Sequence, residues 1–242
     1  MSSISEVLKK VSHRPWALPD APWQYSQQWN DALFLHWAMP PEALRSFVPK
    51  KLNIDLFDQK AYVSLVIFTM QKVRPRYLPP LRLVSNFHEI NVRTYIEAGG
   101  KQGVYFFSLE AEKWLSALLA RWFSGLGYTH SMITRKGGNC RSKSHQKGFS
   151  LEVSHALQND TPQKLPLDLW LTERYCAFYE DGPKLFRYDI HHPEWPIQAV
   201  SLEKLALDYA VCDFNLNQRP PDLIHYSPGV GVATWPKVEI QV

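Results

Sequence analysis

From residue 61 to residue 110 the chain repeats with a period of two, and this limits its fold more than any other feature. AYVSLVIFTM (61–70) is a β-branched apolar run of strand length, NFHEINVRTYIE (86–97) alternates, and GVYFFSLE (103–110) follows a Gly-Gly-Lys-Gln turn. LDLWLTERYCAFYE (167–180) alternates again, and further strands are predicted over 184–190, 222–227 and 232–241.

Helical patterns are few. AEKWLSALLARWFSG (111–125) places Trp114, Leu115, Leu118, Leu119, Trp122 and Phe123 on one stripe, which predicts a helix with Ser108 as N-cap, Gly125 as its stop and its tryptophans as core mass. A second helix is predicted over Pro41–Phe47, a weaker one over Leu202–Tyr209, and a short one over 3–12 that docks through Ile4, Val7, Leu8 and Val11. These are too few for a doubly wound sheet. The fold class is mainly β, a largely antiparallel sheet wrapped around one or two helices.

The 242 residues admit one domain or two. The Pro-rich spots at Pro40-Pro41, Pro79-Pro80 and Pro220-Pro221 are too narrow for linkers and no long-period repeat is visible, so a single domain over 1–242 is expected. A net charge of +4, scattered along the chain, argues against a nucleic-acid partner. The densest basic stretch, RKGGNCRSKSHQK (135–147), reads as a hairpin turn and carries no aromatic residue on which bases would stack. Cys140, Cys176 and Cys212 form no CxxC pattern, which fits a reducing cytoplasm and excludes a disulfide framework. No run is long enough for a membrane span and the N-terminus lacks a signal-peptide core, so no membrane partner is expected. The oligomeric state is left open.

The segment 87–97 carries the chemistry. His88, Ile90, Val92, Thr94 and Ile96 form a mostly apolar set, whereas Phe87, Glu89, Asn91, Arg93 and Tyr95 form the opposite one. A strand facing solvent shows the same alternation. The neighbouring strands at 61–70 and 103–107 are apolar on both faces, however, so the polar row is expected to face an enclosed space. A carboxylate, a guanidinium and a phenol there could hold a small polar ligand.

Other chemistries find little support. The 9 His include no HxH or HExxH pattern, and the adjacent His191 and His192 would face opposite sides of a strand, so no metal is expected. His36, in an apolar strand, reads as a hydrogen-bonded core histidine. There is no GxSxG, and GGNC and GVGV lack the spacing of a phosphate loop.

The blocks HWAMPPEALRSFVPKKLNIDLFDQKAYVSLVIFTMQKVRPRYLPP (36–80), FHEINVRTYI (87–96) and GVYFFSLEA (103–111) resemble the YqjF-like family of the acetoacetate decarboxylase-like superfamily. TERYCAFYEDG (172–182), HHPEWPI (191–197) and YSPGVGVATWP (226–236) match more weakly. The resemblance implies a closed, cone-like antiparallel β-barrel with helices against it and a ligand cavity inside. Enzymes of the superfamily form a Schiff base through a lysine of lowered pKa. Glu89 matches a glutamate that lines such cavities, but GLGYTHSMI (125–133), which resembles the lysine-bearing segment, offers Tyr128, Thr129 and His130 instead. Lys113 and Lys72, the latter beside Arg74 and Arg76, read as surface cations, so imine chemistry is not expected.

The expected function is binding of a small carboxylate or carbonyl compound, without cofactor. Asn91, Arg93, Tyr95, Arg74 and Tyr128 would contact the ligand, and Arg93 would grip its acid group. If a reaction follows, it is that of a lyase or isomerase with Glu89 and His130 as acid and base. The remaining reading is a structural or interaction protein whose polar row is an internal network.

Overall fold

A computed structural model describes residues 3–211 and 214–241. Strands dominate it, as expected. In chain order the helices are α1 (Ile4–Lys9), α2 (Pro41–Arg45), α3 (Arg82–Ser85), α4 (Trp114–Ser124) and α5 (Pro166–Thr172). The first eight strands are β1 (Tyr25–Met39), β2 (Asn53–Ile54), β3 (Ala61–Pro75), β4 (Phe87–Ala98), β5 (Lys101–Ala111), β6 (Tyr128–His130), β7 (Met132–Lys136) and β8 (Asn139–Lys143). They are followed by β9 (Ser150–Leu157), β10 (Cys176–Asp181), β11 (Lys184–His191), β12 (Val200–Asp208), β13 (Ala210–Val211), β14 (Phe214–Asn215), β15 (Leu223–Thr234) and β16 (Val238–Ile240).

The large sheet runs β2-β4-β3-β1-β15-β11-β10-β5-β6, and β4 also pairs with β5, so the hydrogen-bonded order from β4 through β3, β1, β15, β11, β10 and β5 returns to β4 as a ring. All of these pairs are antiparallel except β10–β5 and β5–β6. The β10–β5 contact depends on Gly103, where a Cβ would lie 2.6 Å from both the Cys176 carbonyl oxygen and the Phe178 ring. Only glycine lets the two backbones approach so closely there.

The faces of the ring do different work. Leu33, Leu35 and Trp37 of β1, with Val63, Leu65 and Ile67 of β3 and Ile90 and Val92 of β4, point outward onto a second sheet. That sheet, ordered β12-β9-β8-β7, contributes Ile133, Cys140, Leu151, Val153 and Leu207 to the same cluster. Ala32, Phe34, Val66, Phe68, Phe87, Val230 and Val232, from four strands of the ring, meet on the inner side with Trp195.

Several local expectations are corrected. Residues 166–172 are helix α5 and only 176–181 continue as strand: Pro166 opens the helix and Asp168 accepts the Leu165 amide hydrogen at 2.7 Å. Residues 200–208 are a strand, because β9 supplies a ladder partner some fifty positions away that local periodicity cannot reveal. The predicted strands at 222–227 and 232–241 are in fact one long strand, Leu223–Thr234, plus the short β16. Pro228 does not break it, since it faces Asp31, the one position the β1–β15 ladder skips.

Helix α4 begins at Trp114 with Lys113 as N-cap, while Ser108 lies inside β5. Its apolar stripe faces outward. Trp114 is 64% exposed, Trp122 77% and Leu118 46%, whereas the small residues Ser116 and Ala117 are buried and let the helix lie close to its supports. The side chain of Phe123 and the whole of Cys212 lie outside the described residues. The hairpin expected over 135–147 is present, with the turn at Gly137-Gly138. No helix among the described residues is long and apolar enough to cross a membrane.

Candidate functional site

Strand β4 is antiparallel to β3 and β5, and its register decides which side chains gather. Glu89 pairs with Phe68 and Ala111, Asn91 with Val66 and Leu109, and Arg93 with Ser64 and Phe106. Phe34 and His36 of β1 pair in turn with Val66 and Ser64. Paired residues share a face, so the polar row points inward, where Glu89, Asn91, Arg93 and Tyr95 are all buried. The row is buried and does not face solvent.

The Glu89 carboxylate has two neutral donors: Asn91 Nδ2 at 3.2 Å from Oε1 and the Tyr128 hydroxyl at 3.0 Å from Oε2. Burial pushes its pKa up to about 7, against the opposing pull of those two bonds and of the Arg93 charge. The same burial, together with Glu89 itself, holds the Tyr128 phenol well above its ordinary value, so it donates and does not ionise. Glu89 is therefore a carboxyl group able to give or take a proton near neutrality.

Arg93 is held more loosely. Its only hydrogen bond among the described residues runs from Nη2 to the Leu171 carbonyl of α5 at 3.5 Å, and its buried Nε has no partner. The guanidinium lies 5.7 Å from the Phe34 ring centroid and 5.8 Å from that of Tyr95. Asn91 Oδ1, two positions along the row, is likewise buried and unpartnered. Unmet donors and acceptors of this kind, converging on one face, are where a polar ligand would be bound.

A second set of residues, missed in the sequence, adjoins the row. The Tyr95 hydroxyl lies 2.7 Å from Ser64 Oγ and 3.0 Å from the Leu171 carbonyl oxygen. Ser64 Oγ is 2.6 Å from His36 Nδ1, His36 Nε2 is 3.0 Å from His225 Nδ1, and His225 Nε2 is 2.8 Å from Asp168 Oδ1. Burial holds both histidines below their ordinary pKa, His36 well below, and both are neutral at pH 7. A carboxylate only accepts, so His225 carries its proton on Nε2, His36 donates from Nε2 to His225, and Ser64 donates to His36 Nδ1. The chain of bonds thus has a fixed direction from Ser64 through the two histidines to Asp168 of α5, while the Tyr95 hydroxyl donates to the Leu171 carbonyl. His36 is a hydrogen-bonded core histidine, as its sequence setting suggested.

Tyr128 thus joins Glu89, Asn91, Arg93 and Tyr95. Two expected site residues do not. His130, at the end of β6, is exposed, because the strand that places Tyr128 inside ends there. Arg74 lies past the last β3–β4 pair, Met70 with Phe87, and its guanidinium stacks 5.6 Å from the Trp23 ring centroid. Among the described residues no group of three His, Cys, Asp or Glu could hold a metal ion. A separate cleft of about 560 Å³ opens between the ring and the small sheet, lined by Asp31, Thr69, His88, Arg135, His155 and Tyr226 among others, and includes none of the row.

Comparison with known proteins bears on this geometry. Residues 26–231 match the DUF2071 family, described as uncharacterised conserved proteins. An uncharacterised protein of Bacillus subtilis strain 168, YqjF, is 34% identical over 228 residues, spanning 91% of this chain and 94% of its own. Among solved structures, an acetoacetate decarboxylase-like enzyme from Sphingomonas wittichii RW1 superposes with a TM-score of 0.59 at 12% identity, covering 91% of this chain and 94% of that one. The enduracididine biosynthesis enzyme MppR complexed with pyruvate superposes with a TM-score of 0.57 at 12% identity, covering 94% of this chain and 93% of the other. At such identities the likeness is one of fold: the protein has an acetoacetate decarboxylase-like fold.

Proposed function

Starting from the premise that this chain belongs to the DUF2071 family, we propose that it binds a small carboxylate or carbonyl compound inside the strand ring, which acts as a closed β-barrel around the polar row. One observation carries the proposal: a buried guanidinium, Arg93, that has no ion-pair partner among the described residues and an unmet Nε, two positions from an unmet Asn91 Oδ1. A buried cation with no anion is costly, and a ligand carboxylate gripped by two guanidinium N–H groups supplies the missing charge. Asn91 and Tyr95 orient the remainder of the ligand. That MppR, a protein of the same fold, is complexed with pyruvate is consistent with a small keto acid as the class to try first.

Glu89 favours chemistry after binding. A carboxyl near pH 7, held by Tyr128 and Asn91, suits proton transfer at a carbon next to a carbonyl, as in a lyase or isomerase. The row itself holds no lysine, so no imine is expected to form on it. A thermal-shift screen against keto and hydroxy acids tests binding, because a ligand that prefers the folded state raises stability with concentration. The wild type is expected to shift with at least one small acid and Arg93→Ala with none. Borohydride treatment in the presence of pyruvate or acetoacetate is expected to leave every lysine at its native mass. A stable lysine adduct overturns the chemistry, and a wild type that no acid shifts favours the row as an internal network.

A further inference from the structure

The outward stripe of α4 does not stand alone. The loop joining β3 to β4 brings Leu78, Leu81 and Leu83 to the same end of the ring, 58%, 68% and 80% exposed, and Ser116 of α4 fixes that loop by donating to the Val84 carbonyl at 3.0 Å. With Trp114, Leu118 and Trp122 they make six large apolar side chains left exposed on two neighbouring elements, more than scattered single exposures would explain. Its charge is one-sided. Segments 73–85 and 113–127 contain no Asp or Glu, while Arg74, Arg76, Lys113 and Arg121 accompany the apolar groups.

We propose that this surface docks on an anionic lipid bilayer, with Trp114, Trp122 and the leucines in the headgroup boundary and the cations against lipid phosphates. The two halves of the pattern, leucine with tryptophan and an acid-free basic flank, are what interfacial binding requires. A second copy of this chain fits less well, because an isologous contact would set these basic segments against the same segments, which hold no acid to pair with them. The surface departs from the sequence expectation of no membrane partner, since periodicity marked the stripe as apolar but not as exposed to solvent.

The test is co-sedimentation of the full chain with vesicles of phosphatidylcholine alone and of phosphatidylcholine with phosphatidylglycerol in equal parts. Partition onto the anionic vesicles should be at least roughly tenfold stronger and should fall as salt is raised. Trp114→Ser with Trp122→Ser should abolish it. Lys113→Glu with Arg121→Glu should remove the preference for anionic lipid, and both pairs of sites are accessible enough that circular dichroism should be unchanged. Equal partition onto both vesicles, or onto neither, overturns the proposal. So does a dimer, seen by light scattering, that Trp122→Ser splits.

Discussion

Two buried guanidiniums lie against the ring of Tyr95, Arg174 at 4.8 Å and Arg93 at 5.8 Å from its centroid, and they are treated very differently. Arg174, just after α5, donates from Nη1 to Asp55 at 2.5 Å and from Nε to the Trp170 carbonyl at 2.7 Å, and its plane lies 4.2 Å from the Trp170 ring centroid. One nitrogen, Nη2, is left over. Among the described residues Arg93 has no carboxylate within ion-pair distance and a single long bond. The first cation is tied into the fold by its own ion pair. The second is kept in place with its charge unmet, an arrangement that makes sense where the partner is to come from outside.

The strongest way to break this contrast is to remove the tied cation. Arg174→Met leaves Asp55, whose side chain is only 9% exposed, as a stranded carboxylate, and should cost about 3–5 kcal/mol in urea unfolding. A loss below about 1 kcal/mol would mean that Asp55 finds water easily and that Arg174 is no better anchored than Arg93.

Glu89 should give the next largest effect, and one that depends on pH. Its folded pKa of about 7 lies above its ordinary 4.5. Below pH 4.5 the carboxyl is protonated in both states and folding is unaffected by it. As the pH rises through 7 the unfolded chain has already ionised, whereas the folded chain must ionise a buried group, so stability falls by about 3 kcal/mol in all. Glu89→Gln stays neutral and should match the wild type near pH 4 but exceed it above pH 7. Parallel stability curves for the two proteins would show that Glu89 ionises in the fold as easily as in water.

Much of this was legible in the sequence, and what was not has a common cause. The alternation from Phe87 to Glu97 assigned each residue of β4 to a face, because strand side chains alternate whatever the tertiary context. That both faces are buried came from the apolar neighbours, and it holds. The relay through Ser64, His36, His225 and Asp168 could not be read, since its members are brought together from positions up to 189 apart by strand register. His36 and Ser64 do share the inner face of their strands, but only the pairing of β1 with β3 turns that into a contact. Helix α4 fails differently: periodicity identifies an apolar stripe, not what covers it.

Tyr128→Phe sharpens the comparison from the Glu89 side. It removes one of two hydrogen bonds to the carboxylate and should cost about 1–2 kcal/mol above pH 7, where that carboxylate is charged, and less below pH 5. Because the lost bond favoured the ionised form, the Glu89 carboxyl carbon should titrate at higher pH by NMR. An unmoved midpoint would show that water takes over the role of the phenol.

The smallest change in stability is expected at Arg93, and it is the most telling one. Arg93→Met replaces a buried charge lacking an anion with an apolar chain of similar length between Phe34 and Tyr95, so the gain in desolvation should offset the loss of one weak bond to Leu171 and leave stability within about 1 kcal/mol of wild type. The Glu89 titration should move up as the neighbouring positive charge disappears. Any thermal shift produced by a small acid should vanish, although the protein is as stable as before. If Arg93→Met instead costs as much as Arg174→Met, then Arg93 meets an anion of the protein itself in solution, and the difference between the two cations on Tyr95 is no longer a reason to look for a ligand.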